Sequence, residues 1–392
     1  MLNFSRVLII GGILAALPVW AVYAPIPEQE QGRDLTFAVR AGISYDSNIF
    51  GAATDERESM IFTVAPRVNY NASLTAQTFF SAGYGLTLDR FEKRPGDKLL
   101  DSHDASVRLA HAFSKATIID VNDALAVSRN PESLLPGQTL NTNQSFTRNQ
   151  LDGRFITPVT AKLGATLKAR SIYYDYHDGV LGRALDRVEN LYGVSGDYAI
   201  LPEVRGVLEF RHQDVFYRRL GELKNKQSDY LMAGVDYDVA RKMSLSGRLG
   251  SEWRRRRSDD DITAPYVEVS AKYDYAEKSF LTGGYAYTLE ETSDPERFTD
   301  TKLHRLFVNI QHSLTPLIVA SGSLTYEPGK LQGRRGIADI SETAVRGGAA
   351  LSYLPTRNWT LSAGYDYDRV RSDEPTRKLR RSRVALSATF TF

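Results

Sequence analysis

The positions of histidine and serine decide whether the chain could carry out nucleophilic catalysis. An esterase site built on one strand needs a Ser and a His two residues apart, so that both side chains share a face. None of the six histidines has a Ser at that spacing on either side: His103, His111, His177, His212, His304 and His312. The chain has no cysteine, and the acidic run 259–261 is typical of a solvated loop. We therefore expect no catalytic residues, no metal site and no cofactor.

Cationic side chains near the middle of predicted strands are the residues that could act on a passing solute. Seven of them fall on the polar face of their segments: Arg40, Arg108, Lys168, Arg211, Arg248, Arg305 and Arg346. If they are unpaired, their positive potential favours anions. The alternative is that they pair across strands with carboxylates such as Glu209, Glu268, Asp197, Asp236, Asp238, Asp274 and Asp366. The sequence leaves both readings open.

Two further groups of side chains could bind a ligand. Four aromatic residues share the polar face and could stack on sugar rings or pack against loops: Phe79, Tyr230, Tyr266 and Phe307. A run of four arginines next to Trp253 could hold lipopolysaccharide phosphates through paired, charged hydrogen bonds, or it could be a solvated loop: Arg254, Arg255, Arg256 and Arg257.

The elements that position these residues are strands, because apolar residues recur at every second position. Residues 35–45 alternate Leu, Phe, Val, Ala, Ile and Tyr with small or polar residues, and the pattern returns about every twenty residues to the end of the chain. We count about eighteen segments. The fold class expected is all-β, a transmembrane antiparallel up-and-down β-barrel closed around a water-filled pore.

The connections between segments alternate in length, which indicates how the barrel is oriented. Short turns, such as 71–73 and 114–115, alternate with long polar loops, such as 46–59 and 290–300. In outer-membrane barrels the long loops face outward from the cell. The sequence therefore predicts a protein of the Gram-negative outer membrane, in contact with lipid and lipopolysaccharide, with both termini in the periplasm.

The N-terminal residues predict export from the cytoplasm. Residues 1–21 contain Arg6, an apolar run and a small residue, Ala21, suited to signal-peptidase cleavage. We divide the chain into a signal peptide at 1–21, a short periplasmic segment at 22–33 and a barrel at 34–392. The segment 22–33 is too short for a plug domain, which disfavours energy-coupled uptake. The formal net charge of +2 argues against a nucleic-acid partner.

Residues 41–51, AGISYDSNIFG, resemble the first strand and loop of the putative β-barrel porin 2 family. The match consists of an aromatic residue, Asp, a small residue, Asn and an apolar residue at positions 45–49. The resemblance implies an outer-membrane pore, often linked with exopolysaccharide synthesis and export, working with periplasmic export components. Residues 383–392 end in Phe392 and resemble the signal that the barrel-assembly machinery reads.

The polar face is rich in small residues that cannot fill a wide interior, and barrels of about 16 to 18 strands leave an aqueous channel. The function expected is a porin-like channel, favoured for export of an acidic or neutral exopolysaccharide. The alternatives are a general small-solute diffusion porin and a structural or adhesive barrel without transport.

Two positions fit the alternating pattern of the strands poorly. Pro66 predicts a bulge, and Asp123 on the apolar face predicts a register shift or a place near the lipid headgroups.

Overall fold

A computed structural model describes residues 34–128, 145–240, 242–292 and 294–392. These residues form an antiparallel sheet of eighteen strands in which each strand pairs with its neighbours along the chain. The first strand also pairs with the last, so the sheet closes into a barrel. The predicted fold class and strand number are confirmed. The signal peptide and the segment 22–33 lie outside the described residues.

The first nine strands run from the start of the described chain to the middle of the barrel wall. They are β1 Leu35–Asp46, β2 Ser59–Ser73, β3 Thr78–Phe91, β4 Leu99–Ala112, β5 Ile118–Ser128, β6 Phe146–Pro158, β7 Leu163–Tyr176, β8 Arg187–Leu201 and β9 Val204–Tyr217.

The second nine strands complete the wall. They are β10 Lys226–Ala240, β11 Met243–Arg256, β12 Ile262–Ala276, β13 Ser279–Glu290, β14 Phe298–Thr315, β15 Ile318–Gly333, β16 Ile340–Tyr353, β17 Trp359–Ser372 and β18 Leu379–Thr391. The short turns all lie at one end of the barrel, called here the short-turn end, and the long loops lie at the long-loop end.

Three short helices lie in long-loop connections: α1 Gly179–Leu185, α2 Gly221–Lys224 and a 3-10 helix at Pro375–Arg377. The first of these begins because the Asp178 carboxylate accepts hydrogen bonds from the backbone N–H groups of Val180 and Leu181. Among the described residues no helix is long and apolar enough to cross a membrane.

The outer surface of the barrel is apolar because one residue of every two points away from the lumen. Leu35 and Phe37 on β1, for example, are 61% and 41% exposed. In a soluble protein such exposure would be costly, but here lipid covers it. The residues that alternate with these apolar residues face the lumen. Because paired residues on neighbouring strands point to the same side, the alternation continues from strand to strand around the wall.

The seam between β1 and β18 is fixed at both ends. At the short-turn end the rings of Phe37 and Phe392 lie 5.3 Å apart, and Phe390 packs edge-on against Phe392 at 4.6 Å. At the long-loop end Asp46 on β1 accepts hydrogen bonds from Arg381 on β18, and both side chains are buried.

The residues that carry the family resemblance belong to this seam. The Asp46 carboxylate also accepts the backbone N–H of Asn48 at 2.9 Å. The Asn48 amide donates to the carbonyl oxygens of Ala52 and Arg380, and its oxygen accepts the N–H of Ala52. The Asp and Asn of the motif therefore tie the first loop to the last strand.

The bulge expected at Pro66 is wrong. Val64 lies opposite Leu88 and Arg67 lies opposite Gly85, so the register between β2 and β3 continues unchanged. Pro66 has no N–H to donate, yet Val39 on β1 still lies opposite it. The strand therefore tolerates the proline without an extra residue.

The register shift expected near Asp123 is also wrong, because β5 keeps one register with both neighbours. Asp123 lies on the outer face opposite Val107 and Leu151. Its carboxylate accepts a hydrogen bond of 3.0 Å from the Asn149 amide, which supplies a partner on an otherwise apolar surface. Asn149 lies near the start of β6, toward the long-loop end.

Candidate pore

All seven cations predicted to line the pore face the lumen, as their register with neighbouring lumen-facing residues shows. Most of them do not stand alone. Within the described residues, six of the seven form ion pairs with carboxylates on the same face: Arg108, Lys168, Arg211, Arg248, Arg305 and Arg346. Arg40 forms no ion pair with any described residue.

One pairing site lies on β4 to β6. Asp120, whose side chain is 1% exposed, accepts hydrogen bonds from Arg108 at 2.7 and 2.8 Å and from Arg154 at 2.9 Å. One buried carboxylate thus sits between two guanidinium groups. Charges removed from water in this way need such partners, because an unpaired buried ion is costly.

The same arrangement recurs around the wall. Glu209 accepts from Lys168 at 2.9 Å and from Arg211 at 2.8 Å, and Arg248 pairs with Asp236 at 2.9 Å. Farther around the wall, on β14 to β16, Glu327 lies 2.6 Å from Arg305 and 3.0 Å from Arg346. The cations are thus ion-paired with carboxylates, as the second interpretation of the sequence predicts, although Asp120 and Glu209 each serve two cations.

Two of the four lumen-facing aromatic residues are packed into the wall. Tyr230 and Tyr266 are 6% and 2% exposed and meet edge-on at 5.9 Å. Their hydroxyls donate to Gln213 at 2.9 Å and to Glu268 at 2.7 Å. Neither ring offers a face to a passing sugar. Phe79 and Phe307 are partly exposed and keep an accessible ring.

The connection between β13 and β14 folds into the barrel. We call this connection together with the first three residues of β14, residues 291–292 and 294–300, the inner loop. Lys226 on β10 lies 2.9 Å from both Glu291 and Asp300, although β10 is four strands away from β14. Tyr217 on β9 donates to Glu291 at 2.7 Å. The inner loop therefore crosses the lumen side of β11 to β13 near the long-loop end.

The inner loop is anchored at its end by Asp300, which is fully buried. Its carboxylate pairs with Lys226 and with Arg254 and Arg256 of β11. Phe298 is also fully buried. Three cations around one carboxylate hold the inner loop against the wall.

Two other connections at the long-loop end also contact the inner loop. Arg334, in the connection after β15, donates to the carbonyl oxygen of Pro295 at 2.9 and 3.0 Å. Arg297 pairs with Glu374, in the connection between β17 and β18, at 3.1 Å. Contacts with two other loops thus hold the inner loop in place.

The charge of Glu291 is set by the groups around it. Burial by itself would raise the pKa of this carboxyl, but Lys226 and Arg254 outweigh that effect and leave the pKa below its ordinary value. Glu291 is therefore ionised at neutral pH, which the ion pair with Lys226 requires.

The opposite wall remains open to water. Arg67 on β2 and Asp104 on β4 face the lumen, form an ion pair at 2.6 Å and have side chains 50% and 46% exposed. These strands lie half the circumference away from β11 to β13. The inner loop therefore covers one side of the lumen, and the solvated part of the wall lies on the other side.

The four-arginine run does not form one surface. Arg254 and Arg256 face the lumen and pair with Asp300, while Arg255 and Arg257 are exposed. Arg255 pairs with Asp229 at 2.8 Å, and Arg257 pairs with Glu222 at 2.8 Å. Each of the two exposed arginines thus already has an acidic partner.

Across residues 34–128, 145–240, 242–292 and 294–392, no three His, Asp or Glu side chains are grouped so that they could hold an ion.

A closed antiparallel barrel with an apolar outer face and a charged lumen defines a porin-like outer-membrane protein. The chain belongs to the family described as Putative beta-barrel porin 2, whose model matches residues 35–392. This confirms the family suggested by residues 41–51.

Solved structures that are similar to this barrel share little sequence with it. The FrpB iron transporter from Neisseria meningitidis, F5-1 variant in apoprotein form, gives a TM-score of 0.50 at 9% identity and covers 92% of this chain and 81% of its own. OccAB3 from Acinetobacter baumannii gives a TM-score of 0.47 at 11% identity, and the match covers 91% of this chain and 99% of OccAB3. The siderophore receptor PirA from Pseudomonas aeruginosa gives a TM-score of 0.45 at 10% identity, and the match covers 92% of this chain and 80% of PirA. No curated protein matches this sequence.

Proposed function

We propose that this barrel is a channel through which a hydrophilic exopolysaccharide, acidic or neutral, leaves the cell. The observation that carries the proposal is the ion-paired lumen, in which Glu209 and Glu327 each pair with two cations and Arg305 also pairs with Glu290. A wall that alternates paired donors and acceptors suits a cargo dense in hydroxyl groups. It also avoids trapping that cargo at one strongly charged ring.

The proposal includes an orientation, with the long-loop end outside the cell and both termini in the periplasm. Single cysteines in the otherwise cysteine-free chain test it. Exposed positions at the long-loop end, Glu56 and Glu222, should react in intact cells with a thiol reagent that cannot cross the membrane. Ser73 and Lys115, exposed at the short-turn end, should react only after lysis. The reverse pattern would invert the topology.

Transport is tested in two ways. In planar bilayers the purified barrel should conduct ions, and soluble polysaccharide should interrupt the current reversibly. Deletion in the native bacterium should stop polysaccharide release and leave the polymer in the periplasm. A strain that secretes normally but takes up small solutes slowly would favour a general diffusion porin. Absence of conductance would favour a structural or adhesive barrel.

Assembly of the barrel is part of the same proposal. The strand β18 ends in aromatic residues on the outer face, with Phe390 and Phe392 in contact. We propose that the barrel-assembly machinery reads this strand, and that periplasmic export components deliver the polymer to the short-turn end.

A further inference from the structure

Three arginines on β17 and β18 stand together on the outer face at the long-loop end. Arg369 lies directly opposite Arg380, and Arg371 follows Arg369 on the same face of β17. All three are exposed. We call Arg369, Arg371 and Arg380 the arginine patch.

The arginine patch differs from the other arginines of these two strands. On the lumen face Arg381 pairs with Asp46 and Arg383 pairs with Asp368. None of the three patch arginines forms an ion pair with any described residue. The nearby Asp373 carboxylate accepts the backbone N–H of Ser341 at 2.8 Å instead.

Like charges directly opposite each other on neighbouring strands destabilise a sheet. Arg369 and Arg380 occupy such positions, and no protein carboxylate among the described residues offsets their repulsion. An anion supplied from outside the chain would offset it. Lys378, also exposed, adds a further cation just beyond Arg380.

The depth of the patch in the membrane identifies the kind of anion. Along β17 the outer face carries Tyr365, Tyr367, Arg369 and Arg371 in that order from the apolar band toward the long loops. Tyrosines of this kind lie at the level of the lipid headgroups. The guanidinium groups therefore stand just outside the aromatic belt, where the phosphates of membrane lipids lie.

We propose that the arginine patch binds the phosphate groups of one lipopolysaccharide molecule in the outer leaflet. Guanidinium groups suit this ligand because they donate two parallel hydrogen bonds to phosphate oxygens. The proposal rests on the orientation given under the proposed function. It replaces the four-arginine run, whose outward members already have acidic partners, as the main contact with lipopolysaccharide.

The test compares two sets of substitutions in the full-length barrel. The patch variant is Arg369→Gln, Arg371→Gln and Arg380→Gln, and the control is Arg255→Gln with Arg257→Gln, at the same end and on the outer side. Binding of deep-rough lipopolysaccharide in detergent should weaken at least tenfold in the patch variant and less than threefold in the control. Equal binding by wild type and patch variant would overturn the proposal, as would equal loss in both variants.

Three further probes identify the ligand. Dephosphorylated lipopolysaccharide should bind wild type and patch variant alike. Inorganic phosphate at millimolar concentration should not compete with lipopolysaccharide for binding to wild type. The affinities of wild type and patch variant for phosphatidylglycerol should differ by less than threefold. Competition by inorganic phosphate would show a general anion site, and strong discrimination by phosphatidylglycerol would show a phospholipid site. Either result would overturn the assignment to lipopolysaccharide.

A stability measurement separates loss of binding from loss of fold. In detergent without lipopolysaccharide the patch variant should unfold at the same or a higher temperature than wild type, because like charges have been removed. Added lipopolysaccharide should raise the unfolding temperature of wild type only. A patch variant that is less stable without lipopolysaccharide would contradict the repulsion argument. Conductance should be unchanged, so that failure here leaves the channel proposal standing.

Discussion

Asp46 on the first strand and Arg381 on the last strand form a buried ion pair at the long-loop end of the barrel seam. The side chains are 1% and 2% exposed, and the Arg381 Nε atom lies 3.0 Å from both carboxylate oxygens. The pair joins residues 335 positions apart in the chain. It therefore contributes to closure of the barrel rather than to any single hairpin.

Removing one partner of this pair should destabilise the barrel strongly. Breaking a buried pair leaves an uncompensated charge and costs about 3–5 kcal/mol, so Arg381→Met should lower the free energy of unfolding by about that amount. Urea unfolding in vesicles free of lipopolysaccharide measures the change. Arg380→Met, at the adjacent residue on the outer face, is the control and should change stability by less than about 1 kcal/mol. Equal effects would show that the pair has no special part in closure.

Release of the inner loop should widen the pore. Asp300→Asn removes the carboxylate that Lys226, Arg254 and Arg256 surround, and the three cations then repel one another. We expect single-channel conductance to rise and to fluctuate more than in wild type. Glu296→Gln, an exposed position in the same loop, should leave conductance unchanged. An unchanged current in Asp300→Asn would show that the inner loop does not limit the pore.

The sequence alone predicts the barrel, but it predicts the ends of the strands less accurately. Apolar and polar residues alternate only where one face of a strand contacts lipid, so the alternation ends at the edge of the apolar band. The hydrogen bonds between neighbouring strands continue beyond that edge. The sequence predicts a loop over 290–300, yet β14 begins at Phe298, because its pairing with β15 needs no lipid.

The lumen was predicted less well than the wall. The sequence analysis treats Arg254 to Arg257 as one run, although a period of two separates Arg254 and Arg256 from Arg255 and Arg257 on opposite faces of β11. The inner loop was also missed. Its acids Glu291 and Asp300 and the inward Lys226 were visible in the sequence, but their contact joins strands far apart in the chain and depends on how the loop folds.

The pH dependence of conductance should follow Glu291. Facing this carboxylate are Lys226, Arg254, Asp300, Arg187 and Tyr217. Because its pKa in the docked loop is lowered, the carboxylate stabilises docking fully above the ordinary value of about 4.3. That stabilisation is lost as the pH falls through the lowered pKa.

We therefore expect constant conductance from about pH 8 to pH 5 and an increase only in stronger acid. Glu291→Gln should already conduct more at neutral pH and should lack this step. Single-channel recordings in lipid bilayers over this range provide the measurement. A transition centred above about pH 5 would mean that another group controls the inner loop.

Ion selectivity should depend on Arg40 more than on the paired cations. Arg248 is balanced by Asp236, and Arg305 and Arg346 together are balanced by Glu290 and Glu327, so these sites add little net potential to the lumen. Arg40 on β1 has no such partner among the described residues and should give a modest anion preference at low salt, where screening is weak. Bulk net charge cannot produce this effect, because it is only +2 over 392 residues.

Arg40→Gln should reduce the anion preference measured as a reversal potential across a tenfold salt gradient, and Arg40→Glu should reverse it. The matched control removes both charges of one pair, Arg248→Gln with Asp236→Asn, and should leave the reversal potential within error of wild type because the net charge of the lumen is conserved. All variants should keep heat-modifiable migration on gels, which reports the folded barrel. A strong anion preference that survives the loss of Arg40 but disappears in the control would show that the paired arginines, despite their carboxylates, set the field in the pore.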